Sequence, residues 1–300
     1  MNDQNQTSAE KLNVQEMISA LIINLLEKGI IPWRQLFEGT NFPCNLITNR
    51  SYRGINVWLL ASLGFKQNYF LTFKQLSKAG YNVKKGEKSW PVMYLDWLDM
   101  PEGGKAQAIM NYYRVFNIEQ LENLPEHLIP VPKKRITKAA ALKICARIVE
   151  EMPLRPEIRN VENMAYYLPL FDYINMPELS SIKNEEVYFE ILFRQMIHST
   201  GHKLRLNRKE MVHQEAMGGE KFSIEELIAS IGASYLAAYC GIKLIDLTAN
   251  TEYINGWISK LKTDKRLIIY ACGLAQKAVD YILNIPPPEK DQIEDEPTQE

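Results

Sequence analysis

Cysteine is scarce in this sequence: 300 residues hold only four copies, and these lie far apart. Cys44, Cys145, Cys240 and Cys272 never form the Cys-x-x-Cys spacing that marks zinc or redox sites. We therefore predict reduced and mostly buried thiols. This excludes a disulfide framework and a cysteine-based zinc site as the basis of the fold.

Long apolar runs are also absent. No stretch approaches the roughly 20 apolar residues that a membrane-spanning helix requires, and no signal peptide opens the chain. These features predict a soluble, cytoplasmic protein without a membrane partner. The hydrophobic content of 46% is sufficient for a substantial core, and the length of 300 residues favours two domains.

A large excess of either charge is missing as well, but the formal net charge of −1 conceals an uneven distribution. Between Arg34 and Lys88, nine Lys or Arg stand against two Glu, which gives a local net charge of +7. The last twelve residues hold six acids and one Lys, a local net charge of −5. The basic stretch indicates an anionic partner, and the acidic stretch is typical of a solvated tail.

Hydrophobic spacing and capping residues predict an α+β protein in two parts. The first part combines three helices with paired strands at 90–95 and 110–117, and the second is mainly helical with a short β-hairpin within 165–176. The predicted divisions are a disordered N-terminus (1–12), a small mixed α/β domain (13–124), a linker (125–138), a mainly helical domain (139–285) and an acidic disordered tail (286–300).

Residues 193–208 read FRQMIHSTGHKLRLNR and continue a helical pattern that begins near Glu185. In zinc hydrolases, His-Glu-x-x-His sets two imidazoles at i and i+4 of one helix, and the Glu deprotonates the metal-bound water. Here His198 holds the second histidine position, Arg194 holds the first, and Gln195 replaces the base. Arg repels a divalent cation, and an amide cannot accept a proton from water. The pattern predicts a metallopeptidase frame without its catalytic residues.

Few candidates for a metal ligand remain: His198, His202 and Glu226. The spacing of His198 and His202 alone favours structural roles, because Gly201 ends the helix and places His202 outside the i+4 register. We expect local hydrogen bonding by His202. Glu226 has Arg194 as a simpler partner than zinc. We therefore expect no cofactor, and hypothesise that the Arg194 guanidinium takes the place of the metal and pairs with Glu226.

Two groups of short motifs resemble a known family. Thr200-Gly201-His202 and Arg205-Leu206-Asn207-Arg208 resemble the C-terminal domain of ArdC-type antirestriction proteins. The N-terminal motifs resemble the domain shared by ArdC-type proteins and some plasmid primases. They include Pro32-Trp33, Tyr52-Arg53-Gly54-Ile55-Asn56, Thr72-Phe73-Lys74-Gln75, Lys85-Gly86-Glu87-Lys88 and Val115-Phe116-Asn117-Ile118-Glu119-Gln120.

The resemblance implies a single-stranded-DNA-binding domain followed by a zincin-like domain. It also implies that the third zinc ligand, a Glu in the family, falls on Ser230. A hydroxyl therefore replaces a carboxylate, the third change at the metal site after Arg194 and Gln195. In zincin folds the preceding hairpin holds extended peptides at its edge, so a protein or peptide partner for the second domain stays open.

The predicted DNA-binding residues combine cations for phosphates with groups that contact bases. They are Arg50, Tyr52, Arg53, Asn56, Lys74, Lys84, Lys85 and Lys88, with Trp33 and Tyr69 nearby. The alternative for the aromatic residues, including Trp58 and Trp90, is a place in the core. For each ring taken alone we favour the core, and for the basic cluster as a set we favour nucleic acid.

Three functions are consistent with these features. The first, which we favour, is a single-stranded-DNA-binding antirestriction protein of a mobile element whose zincin-like domain is not an enzyme. The second is a zinc metallopeptidase that retains activity with altered ligands. The third is a DNA mimic, or another inhibitor that binds a restriction enzyme directly. The third requires a strongly acidic surface, which the local charge of +7 in the first part opposes.

Overall fold

The computed structural model describes residues 14–34, 42–98, 107–125, 128–131, 136–182, 184–212, 223–244 and 251–286. The predicted disordered N-terminus, most of the predicted tail and much of the predicted linker lie outside these residues. Within the described parts the fold is α+β, as the sequence predicts. No helix among these residues is long and apolar enough to cross a membrane.

The first half of the chain alternates short helices and strands. Helix α1 has apolar residues at helical spacing and is followed by Gly29, whose φ of 77° suits a left-handed helix end. The elements are α1 (Val14–Glu27), β1 (Cys44–Asn45), α2 (Ile55–Ala61), β2 (Tyr69–Thr72), α3 (Phe73–Ala79), β3 (Asn82–Val83), β4 (Trp90–Leu98), β5 (Gln107–Asn117) and β6 (Leu121–Glu122). The strands and helices predicted in this half are confirmed, with β4 and β5 longer than expected.

The main sheet has the strand order β1-β2-β5-β4. Strand β1 runs parallel to β2, whereas β5 is antiparallel to both β2 and β4. Strands β4 and β5 form a long ladder from the Trp90↔Val115 pair to the Leu98↔Gln107 pair. Helix α3 follows β2 directly and begins with a capping box, in which the Thr72 side chain accepts from the Gln75 N–H.

The second half is mainly helical, as predicted. Its elements are α4 (Lys138–Glu151), β7 (Glu157–Arg159), β8 (Tyr166–Leu168), β9 (Tyr173–Asn175), α5 (Glu185–Thr200), α6 (Lys209–Val212), α7 (Ile224–Cys240), α8 (Thr251–Thr263) and α9 (Leu267–Ile282). The predicted hairpin is β8–β9, and β7, which the sequence analysis missed, pairs in parallel with β9. Its three residues are too few to give an alternating pattern.

One hydrophobic core joins the two halves. Ile18 and Ile22 of α1 and Trp58 of α2 belong to the same buried cluster as residues of α5, α7, α8 and α9. The rings of Phe42 and Tyr235 stack with centroids 4.5 Å apart. Helices α1 and α2 thus pack on the second half, although the sequence places them in the first domain. The exact domain limits remain predictions.

Ion pairs reinforce this junction at its surface. Lys262 on α8 contacts Glu27 on α1 at 2.7 Å, and Lys265 contacts Glu16 at 3.1 Å. Such exposed pairs contribute little individually, about 0–1 kcal/mol. The buried apolar residues therefore supply most of the attachment between the halves.

Candidate functional site

Helices α5 and α7 place the residues of the degenerate metal motif side by side. Asn184 caps α5 through the Val187 N–H, and Ser223 caps α7 through the Glu226 N–H. Arg194 and His198 lie one turn apart on α5, and Glu226 and Ser230 lie one turn apart on α7. The two helices approach closely at Gly232, which has no side chain. A Cβ at this position would lie 2.6 Å from Ile197 Cδ1.

The predicted partner of Arg194 is confirmed by its contact. The Arg194 guanidinium donates to the Glu226 carboxylate and forms an ion pair that is about two-thirds buried, with side-chain exposures of 32% and 24%. Ser223 and Glu226 form only half of a capping box, because the Glu226 carboxylate pairs with Arg194.

His198 lies between two carboxylates. Its Nδ1 is 3.2 Å from Glu225 Oε1, and its Nε2 is 3.6 Å from Glu226 Oε1. Because a carboxylate only accepts, Nδ1 carries the hydrogen and donates to Glu225. Metal-ligating histidines are oriented by the same kind of hydrogen bond through the second ring nitrogen. The imidazole therefore keeps the orientation of a ligand, although Glu226 now faces its Nε2.

Arg208 completes the arrangement from the loop after α5. It pairs with Glu225, with Nε 3.1 Å from Oε2, and donates to the Ile197 carbonyl at 2.9 Å. It also donates to the Thr200 hydroxyl. We call the series Arg208, Glu225, His198, Glu226 and Arg194 the ionic chain. Its ends are guanidiniums, so both carboxylates have a permanent cation as partner.

The surroundings of the two carboxylates set their ionisation. Burial by itself raises the pKa of the Glu225 carboxyl, but the hydrogen bond from His198 and the charge of Arg208 outweigh it, and the pKa is lowered. Burial likewise opposes ionisation of Glu226, but the charge of Arg194 and the nearby His198 imidazole prevail and lower its pKa. Both carboxylates are therefore ionised at neutral pH, and they balance the two guanidiniums.

The donor set does not fit a catalytic metal. Arg194 offers a fixed positive charge where the motif has an imidazole, and Ser230 offers a hydroxyl 3.2 Å from the Tyr253 hydroxyl. Gln195 is buried and, being an amide, cannot act as the base. Across the part of the chain that the structure describes, no three His, Cys, Asp or Glu are grouped to hold a metal ion.

His202 belongs to a separate cluster beneath the β8–β9 hairpin. Its Nδ1 accepts from the Leu204 N–H at 3.3 Å, as the prediction of local hydrogen bonding requires, and lies 3.9 Å from Asp172 Oδ2. Burial lowers the pKa of His202, so the neutral imidazole is favoured. Arg205 is almost fully buried and binds the Asp172 carboxylate, the Tyr167 hydroxyl and the Leu154 carbonyl. This cluster fixes the hairpin to the end of α5.

A second candidate surface lies in the first half, where a turn and a helix are joined. The Asn45 side chain donates to Gln75 Oε1 at 2.8 Å and accepts from the N–H groups of Ile47 and Thr48 at 3.0 Å. This clamp ties the turn at 45–50 to the first turn of α3. The turn exposes Ile47 (58%) and the helix exposes Phe73 (66%).

Exposed cations of this half lie on these two elements and on the loop after β3. Arg50 lies in the turn, Lys74 on α3, and Lys84, Lys85 and Lys88 in the loop after β3. Lys84 Nζ donates to the Glu119 carbonyl at 2.7 Å, and Gln120 binds the Glu87 carboxylate and the Lys88 carbonyl. The loop is thus held in one shape by its neighbours. We call the turn at 45–50, α3 and the loop at 84–88 the basic surface.

Three predicted DNA-binding residues are placed differently by the structure. Tyr52 is 7% exposed and packs edge-on against Phe70, and Asn56 is 8% exposed with both of its amide atoms on the Met93 backbone. Arg53 forms an ion pair with Asp280 of α9. Tyr52 and Asn56 are corrected to structural roles because both are buried in the fold, whereas DNA contact by Arg53, whose side chain is 39% exposed beside Asp280, stays a prediction.

Other aromatic residues follow the alternative that the sequence analysis favoured for single rings. Trp33 and Trp58 are in the core with 1% and 2% exposure, and Tyr69 is 8% exposed. Phe73, which is not among the predicted DNA-binding residues, is exposed instead. Its position directly after the Thr72 N-cap was a usable signal, because the first helical residue projects away from the core there.

Two family models match the chain. Residues 12–120 match the N-terminal domain of anti-restriction factor ArdC, and residues 148–274 match a zincin-like metallopeptidase. Among curated proteins, the chain is 28% identical to the DNA primase TraC of Escherichia coli over 95% of its own length, but it spans only 28% of that primase. It is 24% identical to the uncharacterized protein y4eC of Sinorhizobium fredii (strain NBRC 101917 / NGR234), with 92% and 94% of the two chains covered.

Two solved structures of an ArdC protein are also similar to this chain. The metal-free crystal structure of the antirestriction protein ArdC from plasmid R388 superposes with a TM-score of 0.71 and 30% identity, over 91% of this chain and 97% of that one. Its Mn(II)-bound structure gives the same score and identity.

The fold and the site define a protein with a zincin-like C-terminal half joined to a small α+β N-terminal half. The near-complete match at 30% identity goes further. The chain belongs to the ArdC family of antirestriction proteins.

Proposed function

We propose that this protein is a cytoplasmic antirestriction protein of a mobile element, that its basic surface binds single-stranded DNA, and that its zincin-like half has no peptidase activity. The observation that carries the proposal is the basic surface itself. The clamped turn and α3 carry an exposed aromatic ring together with Arg50 and Lys74, and the loop at 84–88 adds three exposed lysines.

The chemistry of this surface suits a single strand. Sequence-tolerant binding uses cations along the phosphates and aromatic rings on which bases stack, at about 1–3 kcal/mol per base. Phe73 presents its ring to solvent, and the Asn45–Gln75 clamp holds it beside the turn at 45–50. Lys74, Lys85 and Lys88 are exposed and available to phosphates. The match to DNA primases, enzymes that act on DNA, supports the same class of partner.

The absence of peptidase activity follows from the ionic chain. A zinc-water mechanism needs metal ligands on two helices and a base beside the water. In this protein Arg194, Gln195 and Ser230 hold those places, and Glu226 is occupied by Arg194. The second half then serves as the support on which α1 and α2 pack, and a peptide partner at its hairpin is compatible with this role.

The test is fluorescence anisotropy of a labelled single-stranded oligonucleotide across a salt series. We compare the wild type with the variant Lys84→Ala/Lys85→Ala/Lys88→Ala. For single strands the slope of log K against log salt changes by about 0.7 per phosphate contact, so three lost contacts reduce it by about 2. Lys143→Ala/Lys203→Ala/Lys277→Ala is the matched control, since these three lysines are exposed in the other half.

The proposal predicts salt-sensitive binding by the wild type and the control and a weaker, flatter dependence for the first variant. No binding by the wild type at low salt refutes it. Equal losses in both triple variants indicate a general charge effect and refute the assignment to the basic surface. Cleavage of casein by the wild type in the presence of zinc or manganese refutes the part that concerns the second half.

A further inference from the structure

The ionic chain joins the same two helices that a metal joins in a zincin arrangement. The motif His-Glu-x-x-His supplies two ligands from one helix, at the positions of Arg194 and His198 on α5. The third ligand position falls on α7 at Ser230. Here the polar side-chain contacts at this site run from Arg194 to Glu226 and from His198 to Glu225 and Glu226.

In the Arg194–Glu226 pair, α5 supplies the cation and α7 supplies the carboxylate. Glu226 lies one turn before Ser230, on the same face of α7, so its carboxylate reaches the space next to the vacated ligand position. The Arg194 guanidinium enters that space and binds the Glu226 carboxylate. Two positive and two negative fixed charges then balance in the ionic chain, and a divalent ion would add two positive charges beside Arg194.

We propose that the Arg194 guanidinium replaces the divalent ion as the cation that links α5 to α7, so that this half folds without metal, and that the backbone still holds the geometry of the metal site. The inference rests on the proposed loss of peptidase activity and deepens it. It predicts that metal binding returns when Arg194 is replaced by a histidine ligand and Ser230 by a carboxylate ligand.

The experiment measures metal content and thermal unfolding of the full chain after treatment with EDTA, with Mn²⁺ or Zn²⁺ added back. We expect the wild type to bind no stoichiometric metal and to keep its Tm with EDTA and with either ion. Arg194→Met leaves Glu226 without its cation, and we expect its Tm to fall by roughly 5–10 °C and metal not to restore it.

The double variant Arg194→His/Ser230→Glu is expected to bind one metal ion per chain. Its Tm should rise by roughly 5–10 °C when the metal exceeds Kd about a hundredfold. Ser230→Glu alone is the matched control, because it adds the carboxylate and keeps the guanidinium. We expect no metal binding by this control.

Several results overturn the inference. If added metal raises the Tm of the wild type, or EDTA lowers it, the inference is contradicted. This result does not depend on whether the variants fold. Arg194→Met with the Tm of the wild type shows that the guanidinium does not link the helices. Metal binding by Ser230→Glu alone shows that Arg194 does not exclude the ion. A folded double variant without metal binding shows that the site geometry is gone.

Anisotropy with the same oligonucleotide separates this inference from the proposed function. A wild type that binds no DNA, together with a double variant that gains metal, refutes DNA binding and leaves the metal replacement standing. A wild type that binds DNA but depends on metal for its stability supports DNA binding and refutes the metal replacement.

Discussion

The substitution Arg208→Met tests the ionic chain at its most buried point. Arg208 and Glu225 are 4% and 0% exposed, and the guanidinium contacts Glu225, Thr200 and the carbonyls of Ile197 and His198. Methionine approximates the length of the aliphatic stem and removes every one of these donors. The variant therefore leaves a buried carboxylate without its permanent cation.

The expected loss follows from that uncompensated charge. Removing one partner of a buried ion pair costs about 3–5 kcal/mol, because the remaining charge has lost its water and gained nothing in return. At about 2–4 °C per kcal/mol, we expect a Tm lower by roughly 6–20 °C. This exceeds the effect of Arg194→Met, because the Arg194–Glu226 pair is partly exposed.

The loss of stability should depend on pH in a definite direction. In the wild type the pKa of Glu225 is lowered, so its contribution to stability is present above the unfolded pKa near 4.3 and is lost as pH falls through the lower folded value. Without Arg208, burial is opposed only by His198, and the folded pKa of Glu225 is higher than in the wild type. The loss of stability in Arg208→Met is therefore largest at neutral pH. It becomes smaller as the pH falls and the Glu225 carboxyl takes up a proton.

Thermal unfolding followed by circular dichroism between pH 5 and 8 measures this effect. The Tm difference between wild type and variant should be largest near pH 8 and should narrow toward pH 5. The control is Arg208→Met/Glu225→Met, which removes both charges and should recover much of the lost Tm at neutral pH. A Tm difference that is absent, or that stays the same at every pH, refutes the reasoning.

Two further predictions address the basic surface and the helix junction. Phe73→Ala should weaken binding of a single-stranded oligonucleotide about 5- to 150-fold and leave Tm unchanged, because the ring is 66% exposed. Phe73→Tyr keeps the ring as a control, and wild-type affinity of the alanine variant contradicts the prediction. Gly232→Ala should lower stability by about 1–2 kcal/mol, since its Cβ would lie 2.6 Å from Ile197 Cδ1 and this clash outweighs the gain in helix propensity. In an Ile197→Ala background, which lacks the Cδ1, Cγ1 and Cγ2 atoms that meet this Cβ, Gly232→Ala should cost little further stability; an unchanged cost would place the strain elsewhere.

The sequence by itself determined the local elements. Thr72 and Gln75 form a capping box, Asn184 and Ser223 cap α5 and α7, and Gly29 lies in the left-handed region where α1 ends. These features depend on residues a few positions apart, so the chain encodes them without reference to distant contacts. The replaced residues of the metal motif were readable for the same reason, because the motif fixes their spacing on one helix.

Only the tertiary structure decided which distant groups meet. The Arg194–Glu226 pair was predicted because the motif suggested it, but the parts played by Glu225 and Arg208 needed the packing of α7 and the loop against α5. Tyr52 and Asn56 were assigned to DNA from short motifs, and the sheet buried both. Helices α1 and α2 belong to the predicted first domain, and only the structure shows that their apolar faces pack against helices of the second half. Burial of a face depends on the partner it meets, and sequence spacing gives the face without the partner.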